Sequence, residues 1–205
     1  MHSLMIRTDR APSADANPAD DLDAWIAQAA RGDRQAFERL LRHYERKVLA
    51  TAQQLLGQPE DAQDAAQEVF LRLYRALRRL DPQRGLGGWI YRVTVNVCRD
   101  LAQHRQKRPT SSLSEAPMDR LPATDLGSDP WRQAAWSAEK SLLAAALATL
   151  QDKERQALVL RDLQGLRCRQ VAEILEISEV TVRSHICRAR IKIKNFRDQR
   201  LRTNS

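Results

Sequence analysis

The sequence predicts an all-α protein made of two small helical domains joined by a flexible linker. Three observations carry this. Aromatics are only 5% of the chain and glycine only 7 residues, while Ala, Leu, Arg and Gln abound. That balance suits helices and disfavours a sandwich or barrel. Apolar residues recur at steps of three and four in separate stretches, the spacing of one face of a helix. Between the two sets of stretches lies a run with four prolines and no apolar period, which reads as a linker. A chain of 205 residues makes one or two domains at about 150 residues each.

Residues 1–21, with Pro12, Pro18 and scattered Ser, Asp and Asn, read as a disordered leader. A first helix starts near Leu22 and breaks at Gly32. Asp33 stands where a second helix needs an N-cap. That helix carries Phe37, Leu40, Leu41, Tyr44, Val48, Ala52 and Leu55 on its inner face, and Gly57 and Pro59 end it. A third helix, 60–80, buries Ala62, Ala66, Val69, Leu73, Leu77 and Leu80 and stops at Asp81-Pro82. Gln83-Arg84-Gly85-Leu86-Gly87-Gly88 holds three of the seven glycines and reads as a loop. A fourth helix, 89–105, follows with Ile90, Val93, Val97 and Leu101 inward. These four helices make a first domain, 22–106. The linker is 107–132. A second domain, 133–198, has helices near 134–150, 152–163, 168–175 and 179–197, and residues 199–205 are left as a tail.

The net charge is +8 and unevenly spread. Residues 1–23 hold two basic and five acidic side chains, 24–107 fifteen and nine, 108–133 three and four, and 134–205 fourteen and eight. Two basic blocks on a helical protein point to a polyanion, most often nucleic acid; a generally basic surface without a specific partner is the alternative. The longest uncharged runs, 48–59 and 141–151, are shorter than the ~20 apolar residues of a membrane span. The N-terminus has no apolar stretch of signal-peptide type. A cytoplasmic protein without membrane insertion is expected. Cys98, Cys168 and Cys187 are far apart and form no Cys-x-x-Cys, so no metal or other cofactor is expected, and the thiols read as reduced, buried small hydrophobes. His104 and His185 lie on basic faces with no carboxylate or nucleophile at a useful spacing. No active site is expected, and the chain does not read as an enzyme.

The strongest local pattern lies near the C-terminus. Val171, Ala172, Ile174 and Leu175 sit on a short helix, Glu176-Ile177-Ser178 makes a turn, and Val182, Ile186, Ala189 and Ile193 line one face of the next helix. Ser178 caps that helix and Glu179 suits its N-terminal dipole. This is a helix-turn-helix pattern. Thr181, Arg183, Ser184, Cys187, Arg188 and Arg190 point outward, and 178–202 holds eight basic against two acidic residues. Such a second helix enters the DNA major groove, where Arg reads guanine and Ser or Thr meets phosphate or base. The bland alternative is an amphipathic pair with a solvated basic face.

The segments Asp152 to Leu166, Val171-Ala-Glu-Ile-Leu-Glu-Ile-Ser178 and Thr181-Val-Arg-Ser-His-Ile-Cys-Arg-Ala-Arg190 resemble region 4 of bacterial sigma factors. Asp61-Ala-Gln-Asp-Ala-Ala-Gln-Glu68 with the residues up to Leu77, then Asp81-Pro82, Trp89 to Asn96 and Arg99-Asp100, resemble region 2. Only regions 2 and 4 are present, the arrangement of the extracytoplasmic-function group. The resemblance implies a sigma factor that binds core RNA polymerase through its β′ clamp helices and β flap. It would recognise promoter DNA, reading the −35 element as duplex through region 4 and opening the −10 element through region 2. It further implies an anti-sigma factor as partner and a monomer when free.

Residue by residue, Asp64, Gln67 and Glu68 match the family's Asp-x-x-Gln-Glu, which implies docking on the clamp helices; Leu71 lies on the same outer face. Arg92, Asn96, Arg99 and Gln103 fall at steps of four, three and four opposite the core stripe, a row that suits a DNA backbone and an unstacked base. By resemblance the glycine loop is the specificity loop, so Arg84, Gly87 and Gly88 join Tyr91, Arg92, Asn96 and Arg99 as −10 contacts. Trp89 is placed in the core, and Tyr91 is open between core and base stacking. Thr181, Arg183, Ser184, Cys187 and Arg188 are the −35 contacts. Two departures stand out: Glu176 occupies the turn where the family has Gly, costing ~1 kcal/mol if the turn is left-handed, and Cys187 replaces a larger residue. The competing readings are a stand-alone helix-turn-helix regulator on duplex DNA and a protein-binding decoy. The first leaves Asp64, Gln67 and Glu68 without purpose, and the second need not keep the arginine rows.

Overall fold

A computed structural model describes residues 18–79, 85–107 and 130–203, with side chains over 22–79, 85–105 and 139–202. Among the described residues there are helices and turns and no strand. The first bundle consists of α1 (Pro18–Ala30), α2 (Arg34–Leu56), α3 (Pro59–Ala76), a 3-10 turn (Leu77–Arg79) and α4 (Leu86–Lys107). The Asp33 carboxylate starts α2 by accepting from the Gln35 and Ala36 amides at 2.8 and 3.2 Å, which satisfies two of the donors a helix start leaves open. Gly57 stops it at φ 80°, its amide donating to Gln53 O, a backbone shape that Gly takes without strain. α2 packs against α1, α3 and α4. Leu40, Val48, Val69, Leu73, Ile90 and Val97 are fully buried between them. Phe37 and Leu41 are only half-buried, and Phe37 instead meets Tyr74 edge-on at 5.3 Å.

Several boundaries differ from the sequence reading. α1 starts at Pro18 rather than near Leu22, since proline fits the first helical position; residues 1–17 lie outside the described residues. α3 tightens into the 3-10 turn after Ala76, and Leu80, Asp81-Pro82 and Gln83 lie outside the described residues, as does Arg84. α4 begins at Leu86, so Gly87 and Gly88 belong to its first turn and not to a loop. Gly85 at φ 69° turns the chain, and buried Leu86 anchors the start. That anchoring offsets the ~1 kcal/mol by which a helical Gly trails Ala. Lys107 closes α4 and Pro130 opens the next helix, so of the predicted linker only 108–129 falls outside the described residues.

The second bundle holds α5 (Pro130–Ala148), α6 (Asp152–Leu158), a single π turn (Val159–Leu163), α7 (Cys168–Leu175) and α8 (Glu179–Thr203). The Gln164 amide donates to Val159 O at 2.9 Å, the wide bond of a π turn. α8 packs on α6, α7 and α5 through Val182, Ile186 and Ala189. It runs on through most of the predicted tail, with Arg200 and Arg202 in its last turn, where cations suit the helix dipole.

The two bundles are docked on each other, α7 against α4 and the π turn and α5 against α2. Arg155 makes the joint. Its guanidinium donates to Leu147 O (3.0 Å), Leu150 O (3.1 Å) and, across the joint, Leu55 O (3.0 Å), which closes carbonyls left open at the ends of α5 and α2. Gln164 Nε2 donates to Gln54 Oε1 at 3.1 Å. Of the cysteines only Cys98 is buried, and burial pushes its thiol up to about 12. Cys168 is half-buried and Cys187 exposed, against the expectation that all three pack as small hydrophobes, because α8 turns Cys187 away from the core.

Candidate nucleic-acid interface

The helix-turn-helix is built as its residues dictate. Val171, Ala172, Ile174 and Leu175 of α7 are all buried. Glu176 closes the helix in the left-handed region, φ 55° and ψ 46°, with its amide on Ala172 O. Ser178 Oγ accepts the Thr181 amide at 3.1 Å and lies 2.8 Å from the Thr181 hydroxyl, a satisfied N-cap. Thr181 is therefore half-buried and engaged at the cap.

Beyond it Arg183, Ser184, Cys187 and Arg188 are exposed on the outer side of α8. Arg183 donates to Glu179 one turn back at 3.0 Å. Arg188 donates to Ser184 O at 3.3 Å and lies 3.4 Å from His185 Nδ1. Burial, and then the Arg188 charge, lower the His185 pKa below its ordinary 6.5. Beside this row is a cavity of about 500 Å³, lined by Arg161, Arg183, Arg190, Lys194, Cys168 and Cys187 among others. Arg190, counted with the outward row, is tied sideways: Asp162 of the π turn accepts from its Nε and Nη2 at 2.9 and 2.8 Å.

On α4, Arg92 and Arg99 are exposed and Asn96 half-buried. Arg99 Nη2 donates to Asn96 Oδ1 at 3.1 Å. Arg92 Nη2 donates to Glu173 O of α7 at 2.8 Å, so the other bundle occupies it. Tyr91 packs at the joint in this arrangement. It is buried, its hydroxyl donates to Gln164 Oε1 at 3.4 Å, and burial raises its pKa. The reason is the joint, which gives α4 a second covered face that a single bundle lacks. Trp89 is partly buried against the core. Gly87 is half-buried and Gly88 exposed at the start of α4.

On α3, Asp64, Gln67 and Leu71 are exposed, Leu71 by 50%, with Ala62, Ala65, Ala66 and Val69 buried behind them. Glu68 is half-buried and accepts from Arg72 at 2.7 Å. Tyr74, 67% exposed, continues the same face.

The family model described as Sigma-70 region 2 matches residues 40–108, and Sigma-70, region 4 matches 140–193. The sigma factor CnrH of Cupriavidus metallidurans is 32% identical over 186 residues, 89% of this chain and 97% of that protein. The ECF sigma factor SigE of Mycolicibacterium smegmatis is 31% identical over 183 residues, 87% of this chain and 69% of that one. This chain belongs to the ECF sigma factors. Its fold agrees: the solved structure of CnrH in complex with the cytosolic domain of CnrY superposes with a TM-score of 0.67 at 25% identity, over 88% of this chain and 99% of that one. The sigma factor RpoE of Bartonella quintana shares the fold, with a TM-score of 0.62 at 19% identity. As a sigma factor the chain directs RNA polymerase to promoters and is not a stand-alone regulator.

Within this sigma factor, the groups that fix the geometry escaped the sequence reading. Buried Glu154 accepts from Lys192 at 2.7 Å and from the Gln151 amide at 3.3 Å, and these bonds, Lys192 first, hold its carboxyl below the usual range. The pair pins α8 to α6. Arg155 and Gln164 pin the bundles together. The ties that join the elements, Glu154 to Lys192, Arg155 to Leu55 and Gln164 to Gln54, span 38 to 110 positions, where no local spacing signals them. Among the described residues no helix is long and apolar enough to cross a membrane.

Proposed function

We propose that this sigma factor binds core RNA polymerase through the face of α3 that carries Asp64, Gln67, Glu68 and Leu71. It reads the −35 element as duplex through α8 and opens the −10 element through the row on α4. What supports the α8 reading most is its division into two sides: Val182, Ile186 and Ala189 are buried while Arg183, Ser184, Cys187 and Arg188 are exposed in the first turns. That leaves donors and a thiol where a groove-bound helix meets base edges. Thr181, with its amide and hydroxyl engaged by the Ser178 cap, meets DNA with its methyl side. On α4, Arg92, Asn96 and Arg99 supply the cations and the amide that follow a single strand, with Gly87 and Gly88 in the helix's first turn and, two positions before that helix in the sequence, Arg84 as a further contact. Tyr91, held by Gln164 across the joint, joins these contacts only where the bundles part.

Opening the −10 element is binding chemistry. Capture of an extruded base offsets an unstacking cost of a few kcal/mol, and no covalent step is needed. The work is done in the cytoplasm, where polymerase and promoter are. An anti-sigma factor fits as a further partner, since CnrH was solved with the cytosolic domain of CnrY and RpoE with the anti-sigma factor NepR.

The experiment is a titration of core RNA polymerase with the labelled full chain. Gln67→Ala with Glu68→Ala is expected to weaken polymerase binding at least tenfold and to leave duplex DNA binding by the same chain unchanged. Unaltered polymerase affinity contradicts the docking face.

A further inference from the structure

The geometry points to Asp162 as a residue that sets how strongly, and with what salt dependence, the chain holds DNA: it withholds Arg190 from the DNA backbone. The inference rests on the reading of α8 as the duplex reader. Arg190 lies one turn beyond Cys187 on α8 and lines the same cavity as Arg183 and Lys194. Its position therefore offers a further cation beside the row that meets DNA. Its bonds point elsewhere. Both carboxylate oxygens of Asp162 take up its guanidinium, at 2.9 and 2.8 Å, the two-bond fork that is the strongest geometry for this pair. The π turn at Val159–Leu163 carries that carboxylate, and the Asp162 side chain is only 25% exposed. The other two arginines of the row are held differently. Arg183 is paired within its own helix to Glu179, and Arg188 with a carbonyl and a histidine of α8. Only Arg190 is fixed by another element.

The consequence follows from how cations act on DNA. Each cation seated on a phosphate adds about 0.9 to the slope of log affinity against log salt, whatever the sequence. Base-edge contacts add discrimination instead. A carboxylate that removes one cation from the phosphates lowers binding to every sequence and leaves base reading alone. The ratio of specific to non-specific binding stays the same, while overall affinity for DNA and its dependence on salt both fall.

The test uses the full chain and a short mixed-sequence duplex, with affinity measured over a series of salt concentrations. Asp162→Asn is expected to steepen the salt slope by about 0.9 and tighten binding at low salt. Arg190→Ala alone is expected to leave the slope at the wild-type value, and the double variant to return it there. A slope that flattens in Arg190→Ala shows Arg190 already on phosphate and overturns the inference. Steepening that persists in the double variant assigns the effect to lost acidic repulsion and overturns it too. If Asp162→Asn fails to melt as a folded protein, the Arg190→Ala slope decides alone. Wild-type chain without salt-dependent duplex binding overturns the reading of α8, and with it the inference.

Discussion

Glu176 has φ 55°, alone in positive φ among the described non-glycine residues, and ends α7 where the resemblance leads one to expect Gly. A left-handed side-chain-bearing residue costs roughly 1–2 kcal/mol. Glu176→Gly is expected to stabilise the chain by about 0.5–1 kcal/mol, the loss of strain less the entropy Gly adds to the unfolded chain; a fall in the denaturation midpoint contradicts this. Arg188→Ala should cost about 1–3 kcal/mol at one −35 position if it reads a base. Uniform loss over all sequences assigns it to phosphate. His185 titrates below its ordinary value because burial and Arg188, with Lys153, disfavour its cation, Glu154 opposing them. The unfolded chain takes the proton first, so stability holds above pH 6.5 and falls as pH drops below it. His43, lowered by burial and Lys47, adds a fall of the same sign. His185→Gln should remove part of the loss in urea resistance on acidification; an unchanged pH profile contradicts the assignment.

The helices were legible because each one announces itself locally. Asp33 as cap, Gly57 as stop, the stripe of α7, that of α3 through Leu77 and that of α8 through Ala189 emerge as read, since each depends on neighbours three or four residues away. α4 was read less well. Its stripe at Ile90 and Val97 is buried, but Tyr91, Thr94, Val95 and Cys98 are buried too. Periodicity names one face, while a helix between two bundles has two. The ties of α8 were invisible for a similar reason, as Glu154 and Asp162 find their partners through the fold. Glu154→Gln keeps the shape and removes the charge, at a cost of about 1–3 kcal/mol. The pair's contribution is present above the usual carboxyl pKa and lost as pH falls through the lowered folded value. The cost, measured by chemical denaturation, should therefore shrink in acid.

At the scale of the whole molecule, the candidate surfaces are not equally available. The outer side of α8 and the face of α3 are open, whereas Arg92 is held by Glu173 O and Tyr91 by Gln164. Reading a −10 strand with Arg92 requires the bundles to part. Arg155→Ala breaks the bond to Leu55 O without touching either row. It should enlarge the radius of gyration and tighten binding of single-stranded DNA by the full chain. An unchanged radius with unchanged affinity contradicts the role of this joint.

One chain carrying both a polymerase-binding face and promoter-reading faces should by itself turn core polymerase into a promoter-selective enzyme. Run-off transcription with purified core RNA polymerase and a pool of bacterial promoters tests it most directly. Selective transcripts are expected that require this chain, fade with Gln67→Ala and Glu68→Ala, and share two sequence elements upstream of their starts. Absence of transcripts together with failure to bind core polymerase contradicts it.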